Sequence, residues 1–108
     1  MKVLCLCQKG NSRSAALKWY LQKMHSPRHE SLAAGMTNTS RSTRRMLYEW
    51  ADLVIITTPR YRHWIPPEFD VKVRVWDVGT DKWFHGFDAD LIETYRKFSM
   101  QEPRLSQP

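Results

Sequence analysis

The chain has 108 residues, 42% of them hydrophobic, with 17 Lys and Arg against 11 Asp and Glu, a formal net charge of +6. That length suits one domain with one core, and the apolar share argues against wholesale disorder. The longest apolar runs, Val3 to Cys7 and Leu53 to Ile56, are too short to span a bilayer, and Met1-Lys2-Val3 leads into them with no small-residue cleavage site, so neither a membrane segment nor a signal peptide is expected.

Val3-Leu4-Cys5-Leu6-Cys7 is continuously apolar, as a strand covered on both faces is. Leu17, Tyr20, Leu21 and Met24 then recur at the spacing of one buried helix face, which Ser26-Pro27 closes. Ser31 to Gly35 reads as a second strand. Thr43, Met46, Leu47 and Trp50 again have helical spacing. Asp52 to Thr57 is a further buried strand, rich in β-branched residues. Thr58-Pro59 and Pro66-Pro67 interrupt the pattern, with a short helical turn expected from Arg60 to Ile65. Val71, Val73 and Val75 alternate with Lys72 and Arg74, the pattern of a half-exposed strand at a sheet edge. Leu91, Ile92, Tyr95 and Phe98 line a last helix, with Asp88 as its cap. Residues 101–108 hold two prolines and no periodicity, and are expected to be a flexible tail behind a domain of residues 1–100.

Alternation of strand and helix implies an α/β domain: a four-stranded parallel sheet, expected in the order 2-1-3-4, with helices on both faces. Ligands of such sheets bind beyond the carboxyl ends of the strands. The first strand ends there in Cys7-Gln8-Lys9-Gly10-Asn11-Ser12-Arg13-Ser14, and a helix follows at once. Gly10 permits close approach of backbone to a ligand. Successive N–H groups of Gln8, Lys9, Gly10, Asn11 and Ser12 can form an anion-binding nest, and the helix start adds its positive dipole end. Arg13 can return its planar fork to the same point and match two phosphate oxygens. The same field favours a thiolate at Cys7, and Ser14 can donate to the sulfur. Cys5, two residues back on the strand, reads as core. Two cysteines cannot form a disulfide scaffold, and no Cys/His group has structural-zinc spacing, so no metal and no cofactor is implied.

The signature C-x5-R-S in this loop resembles that of the cysteine-dependent protein tyrosine phosphatases. Its place after the first strand is similar to the low-molecular-weight branch, and in particular to short bacterial and phage tyrosine phosphatases. Weaker similarity continues through Ala33-Ala34-Gly35, Trp50-Ala51-Asp52-Leu53-Val54-Ile55 and Trp76-Asp77-Val78. The chain departs from that branch in three ways. Its loop glycine, Gly10, stands three residues after the cysteine rather than two. Ser12 replaces the second loop cysteine common there, and the chain is shorter.

The resemblance implies a cytoplasmic, metal-independent phosphatase acting on a phosphotyrosine-containing protein or a small aryl phosphate through a phosphorylated Cys7, with inorganic phosphate as product. It also implies an aspartate in the loop after the last strand that protonates the leaving oxygen. Asp81 and Asp77 both lie there, Asp81 being favoured. Lys82 stands where the family commonly has a proline. His85 is a weaker candidate. Trp83, Phe84 and Tyr61 are candidates for walls of a slot for a flat phenyl ring. Trp64 reads as packing, and Trp19, Trp50 and Trp76 as core or helix-face residues.

Four other functions compete. A phosphate-binding module on the same fold needs no acid. An arsenate reductase would need a resolving cysteine, and none follows Cys7. Sugar-phosphotransferase IIB domains carry a phosphorylated cysteine after the first strand but do not require Arg13. Nucleic-acid binding is suggested by the charge and by Arg41, Arg44 and Arg45, which read more simply as a solvated face.

Overall fold

The computed structural model describes residues 1–9, 13–25, 29–78 and 89–106. The order is strand β1 (Lys2–Cys7), helix α1 (Arg13–His25), β2 (Glu30–Gly35), α2 (Arg41–Trp50) and β3 (Leu53–Ile56). Two 3-10 segments follow, Pro59–Trp64 and Pro67–Lys72, then β4 (Val73–Val75), α3 (Ala89–Met100) and the short α4 (Pro103–Ser106). The four strands form one sheet in the order β2-β1-β3-β4, and every pairing is parallel. This is the sheet that the alternating pattern implies.

Side chains of a strand alternate between its faces, and this divides the core in two. Val3 and Cys5 of β1 join Leu53 and Ile55 of β3 in a cluster with Leu17, Tyr20 and Leu21 of α1 and Leu91 and Tyr95 of α3. Leu4, Leu6, Val54 and Ile56 point the other way, to Tyr48 of α2, to Tyr61 and Phe69 of the 3-10 segments and to Ile65 between them. β1 and β3 are central and buried on both sides, which is why they read as unbroken apolar runs.

Three expectations need correction. The buried residue of α2 is Tyr48, flanked by half-buried Leu47, whereas Thr43 and Met46 face solvent. The true inner stripe is Arg44, Leu47, Tyr48 and Ala51, shifted by one residue because an arginine stem and a tyrosine ring supply its apolar surface. Val71 is not in the edge strand. It is exposed in the second 3-10 segment, and β4 begins at Val73.

The third correction concerns the end of the chain, where residues 101–106 are tied down. Leu105 is fully buried in the α1/α3 cluster. Its carbonyl lies 3.2 Å from His29 Nε2, Arg104 donates to the Asp52 carbonyl at 2.7 Å, and Glu102 pairs with Arg74 at 2.9 Å. One leucine and two charged anchors suffice to dock a segment too short for any periodicity to show. Leu105→Ala is expected to lower stability by about 2–4 kcal/mol in urea unfolding, because it leaves a void in a packed layer.

Candidate functional site

β1 delivers Cys7 to the carboxyl end of the sheet, in register with Gly35 of β2. By alternation its side chain shares the α1 face with Val3 and Cys5, and it is 1% exposed. Cys7 Sγ lies 3.1 Å from Oγ of Ser14, itself wholly buried in the first turn of α1. Arg13 opens that helix and is buried as well. Residues 10–12 of the loop, and with them Gly10, Asn11 and Ser12, lie outside the described residues.

A second loop holds the first. After β2 the chain crosses beneath residues 7–9, and the Met36 N–H donates to the Cys7 carbonyl at 2.9 Å. The Thr37 N–H and hydroxyl both donate to the Gln8 carbonyl at 2.9 Å, and Asn38 Nδ2 donates to the Lys9 carbonyl at 2.8 Å. Across a trans peptide the carbonyl of one residue and the N–H of the next point in opposite directions. Fastening the Cys7 and Gln8 carbonyls therefore turns the Gln8 and Lys9 N–H groups away from the second loop. Gly35 makes the crossing possible: a Cβ there would lie 2.5 Å from the Lys9 carbonyl carbon and would strike the Asn38 side chain.

α3 braces the other side. The buried Tyr95 hydroxyl donates to the Arg13 carbonyl at 2.6 Å, anchoring the first residue of α1. Burial pushes the Tyr95 phenol up, and the neighbouring Cys5 and Cys7 sulfurs add to this against the opposing Arg13 charge, so the hydroxyl keeps its proton and remains a donor. Cys5 is driven up by burial first and by Cys7 second. A thiol so placed stays neutral, in keeping with a core role.

The remaining candidates are dispersed. Asp77 is exposed just past β4. The ladder continues there, with the Trp76 N–H on the Ile56 carbonyl at 2.9 Å and the Val78 N–H on that of Thr57 at 3.4 Å. Trp76 and Val78 both enter the α1/α3 cluster, with Asp77 exposed between them. Asp81, Trp83, Phe84 and His85 lie outside the described residues. Tyr61 is 8% exposed and belongs to the α2-side core. Its ring meets Trp64 edge-on at 4.8 Å, which leaves little of it for a ligand. Trp76 is core, stacked on Phe98 at 5.4 Å, and Trp19 is partly exposed.

Sequence reasoning missed Gly35, Thr37, Asn38 and Tyr95 as supports of this loop. The only local signal was a glycine closing Ala33-Ala34. Among the described residues no cluster of three His, Cys, Asp or Glu could hold a metal ion, and no helix is long and apolar enough to cross a membrane.

No protein-family model and no curated protein sequence matches the chain. Solved structures do. A YwlE mutant from Bacillus subtilis superposes with a TM-score of 0.68 at 17% identity, covering 94% of this chain and 97% of that one. A cysteine-to-serine mutant of the YwlE arginine phosphatase, with a phosphorylated active-site serine, gives 0.66 at 17% identity over 98% of this chain and 100% of that one. The YwlE arginine phosphatase from Geobacillus stearothermophilus gives 0.57 at 19% identity over 96% and 86%. At such identities the likeness is one of fold: this chain is a single α/β domain of the low-molecular-weight protein tyrosine phosphatase fold, which it shares with the YwlE structures.

Proposed function

We propose that the chain is a cysteine-dependent phosphatase. The observation that carries this reading is the buried Cys7 thiol at the end of β1, 3.1 Å from the Ser14 hydroxyl and beside the helix start that Arg13 occupies. The Cys7 thiolate attacks phosphorus as the bond to the leaving group breaks. Asp81 supplies the proton that the leaving atom takes up. Arg13 and the loop N–H groups hold the equatorial oxygens, where charge gathers in the transition state. Water then attacks the phosphocysteine, Asp81 accepts its proton, and the sulfur departs as a thiolate stabilised by the Ser14 hydroxyl. Phosphate is released. Nucleophile, acid and charge stabilisation all come from side chains and backbone, so the cycle requires no metal. A reactive thiol of this kind works in a reducing compartment, which accords with the cytoplasm.

The substrate we favour is an aryl phosphate, phosphotyrosine on a protein above all, with Trp83 and Phe84 walling the ring. Phosphoarginine is a second reading, supported by the arginine phosphatases that share the fold. Its leaving nitrogen uses the same attack and the same acid.

The test is hydrolysis of a phosphotyrosine peptide and a phosphoarginine peptide, side by side, with a chelator present. Turnover of the first at the higher kcat/KM supports phosphotyrosine, and the reverse order replaces it by phosphoarginine. Tight binding of both without turnover leaves a phosphate-binding module and rejects the phosphatase. The pH profile assigns the acid. Wild-type kcat falls as pH rises and the acid loses its proton. Asp81→Asn is expected to flatten that limb and lower kcat about 100-fold or more, while Asp77→Asn keeps it. The opposite result moves the role to Asp77.

A further inference from the structure

On the face of the sheet opposite α1, helix α2 and the 3-10 segment Pro59–Trp64 enclose a cavity of about 310 Å³. Arg41, Arg44 and Arg45 line it from the helix, His63 and Trp64 from the 3-10 segment, and Tyr48 from below. Its charges are unevenly compensated. Arg45 is neutralised by Glu49 and Glu68, at 3.3 and 2.6 Å. Arg44 meets no carboxylate among the described residues. It donates to the carbonyls of Met36 and Thr39 and lies 5.5 Å from the centre of the Trp64 ring. Arg41 and His63 are exposed or nearly so, with no hydrogen bond or ion pair among the described residues.

Tyr48 is the second observation. It is 2% exposed, and its hydroxyl, beside the Arg44 guanidinium, has no acceptor for its proton among the described residues. Buried hydroxyls are nearly always satisfied, because desolvating one without a partner costs free energy. Burial pushes this phenol up against the pull of the adjacent Arg44, so it stays a protonated donor. A donor without an acceptor, two cations without anions and an indole face are the complement of an anionic group with a short apolar stem.

The cavity is linked to the strand end that carries Cys7. Arg44 Nη1 donates to the Met36 carbonyl at 2.9 Å, and the Met36 N–H donates to the Cys7 carbonyl at 2.9 Å. Two hydrogen bonds and one residue of backbone thus connect Arg44 to the Cys7 carbonyl, a path on the order of 10 Å. That is the span of about three residues of an extended peptide.

We propose that this cavity is a substrate subsite that receives an anionic side chain, a carboxylate or a second phosphate, about three residues from the phosphorylated one. The proposal rests on the phosphatase reading and narrows its substrate to acidic or multiply phosphorylated segments of protein. Arg41 and Arg44 supply charge-assisted donors, Tyr48 closes the floor, and Trp64 carries the stem.

The test uses three sets of phosphopeptides, phosphorylated on whichever residue the enzyme turns over. They carry Glu, phosphoserine or Ala three positions to either side. Glu and phosphoserine are expected to raise kcat/KM about tenfold over Ala on one side, and Arg41→Glu is expected to abolish that ratio. Equal gains assign the site to carboxylates, and a larger gain with phosphoserine assigns it to phosphate. A wild-type ratio of one, or a ratio that survives both Arg41→Glu and His63→Ala, overturns the subsite. Should no phosphopeptide be hydrolysed, the phosphatase reading fails by itself. The cavity is then read from the Trp64 indole NMR signal as inorganic sulfate is titrated into the full chain. A saturable shift lost in Arg41→Glu retains an anion site there, and the absence of a shift removes it.

Discussion

Cys7→Ser is expected to lower turnover of any phosphorylated substrate by at least about 1,000-fold while leaving the fold intact. The two side chains differ by one atom, and Cys7 is buried beside Ser14, where a smaller oxygen fits without displacing a neighbour. The chemistry differs far more. A serine hydroxyl has no general base beside it among the described residues, and once phosphorylated it is a poor leaving group in the second step. The variant should therefore accumulate phosphoenzyme if its first step proceeds at all. The measurement is steady-state kinetics with intact-mass detection of one added phosphoryl group. A related fold already holds a phosphorylated active-site serine in place of its cysteine. Wild-type turnover in Cys7→Ser would end the case for sulfur as the nucleophile.

The next largest effect is expected far from any reacting atom. Gly35→Ala should cost about 100-fold in kcat/KM and about 1–3 kcal/mol of stability. The added methyl would stand 2.5 Å from the Lys9 carbonyl carbon and 2.6 Å from its oxygen, well inside contact distance. Asn38 can swing aside, at the cost of its hydrogen bond to Lys9. The Lys9 backbone has no such freedom, because Met36 and Thr37 hold the two residues before it. The loop must move, and a displacement near 1 Å at a positioned site costs on that order in rate, with overpacking supplying the stability loss. Asn38→Ala separates the two causes. It removes the donor to Lys9 without adding bulk, so its loss should be several-fold smaller. Activity of Gly35→Ala near wild type, with normal urea unfolding, would show that the loop tolerates the shift.

These two expectations differ in how far the sequence foretold them. The cysteine, the arginine six residues on and the helix behind them are local features. Covalent spacing alone keeps them near one strand end, where the Ser14 hydroxyl lies 3.1 Å from the Cys7 sulfur and Arg13 opens the helix. Gly35 had no such signal, since its partner Lys9 lies on another strand's loop. Tyr95 is likewise remote from Arg13 in sequence. The stripe of α2 is displaced by one residue because a hydrophobic alphabet does not count the stem of Arg44 as inward-facing. The end of the chain was read as loose because a single buried leucine has no period.

By itself the sequence determined most of the elements, their parallel order and the C-x5-R-S spacing at the end of the first strand. Each of these is written in one dimension, as alternation, helical period or fixed spacing along the backbone. Only the tertiary structure decided which distant residues clamp that loop, where Leu105 docks and how α2 meets Trp64 to leave a basic cavity. Those outcomes depend on contacts between segments far apart in the chain, and no local periodicity encodes which of several apolar or polar surfaces will meet once the layers close.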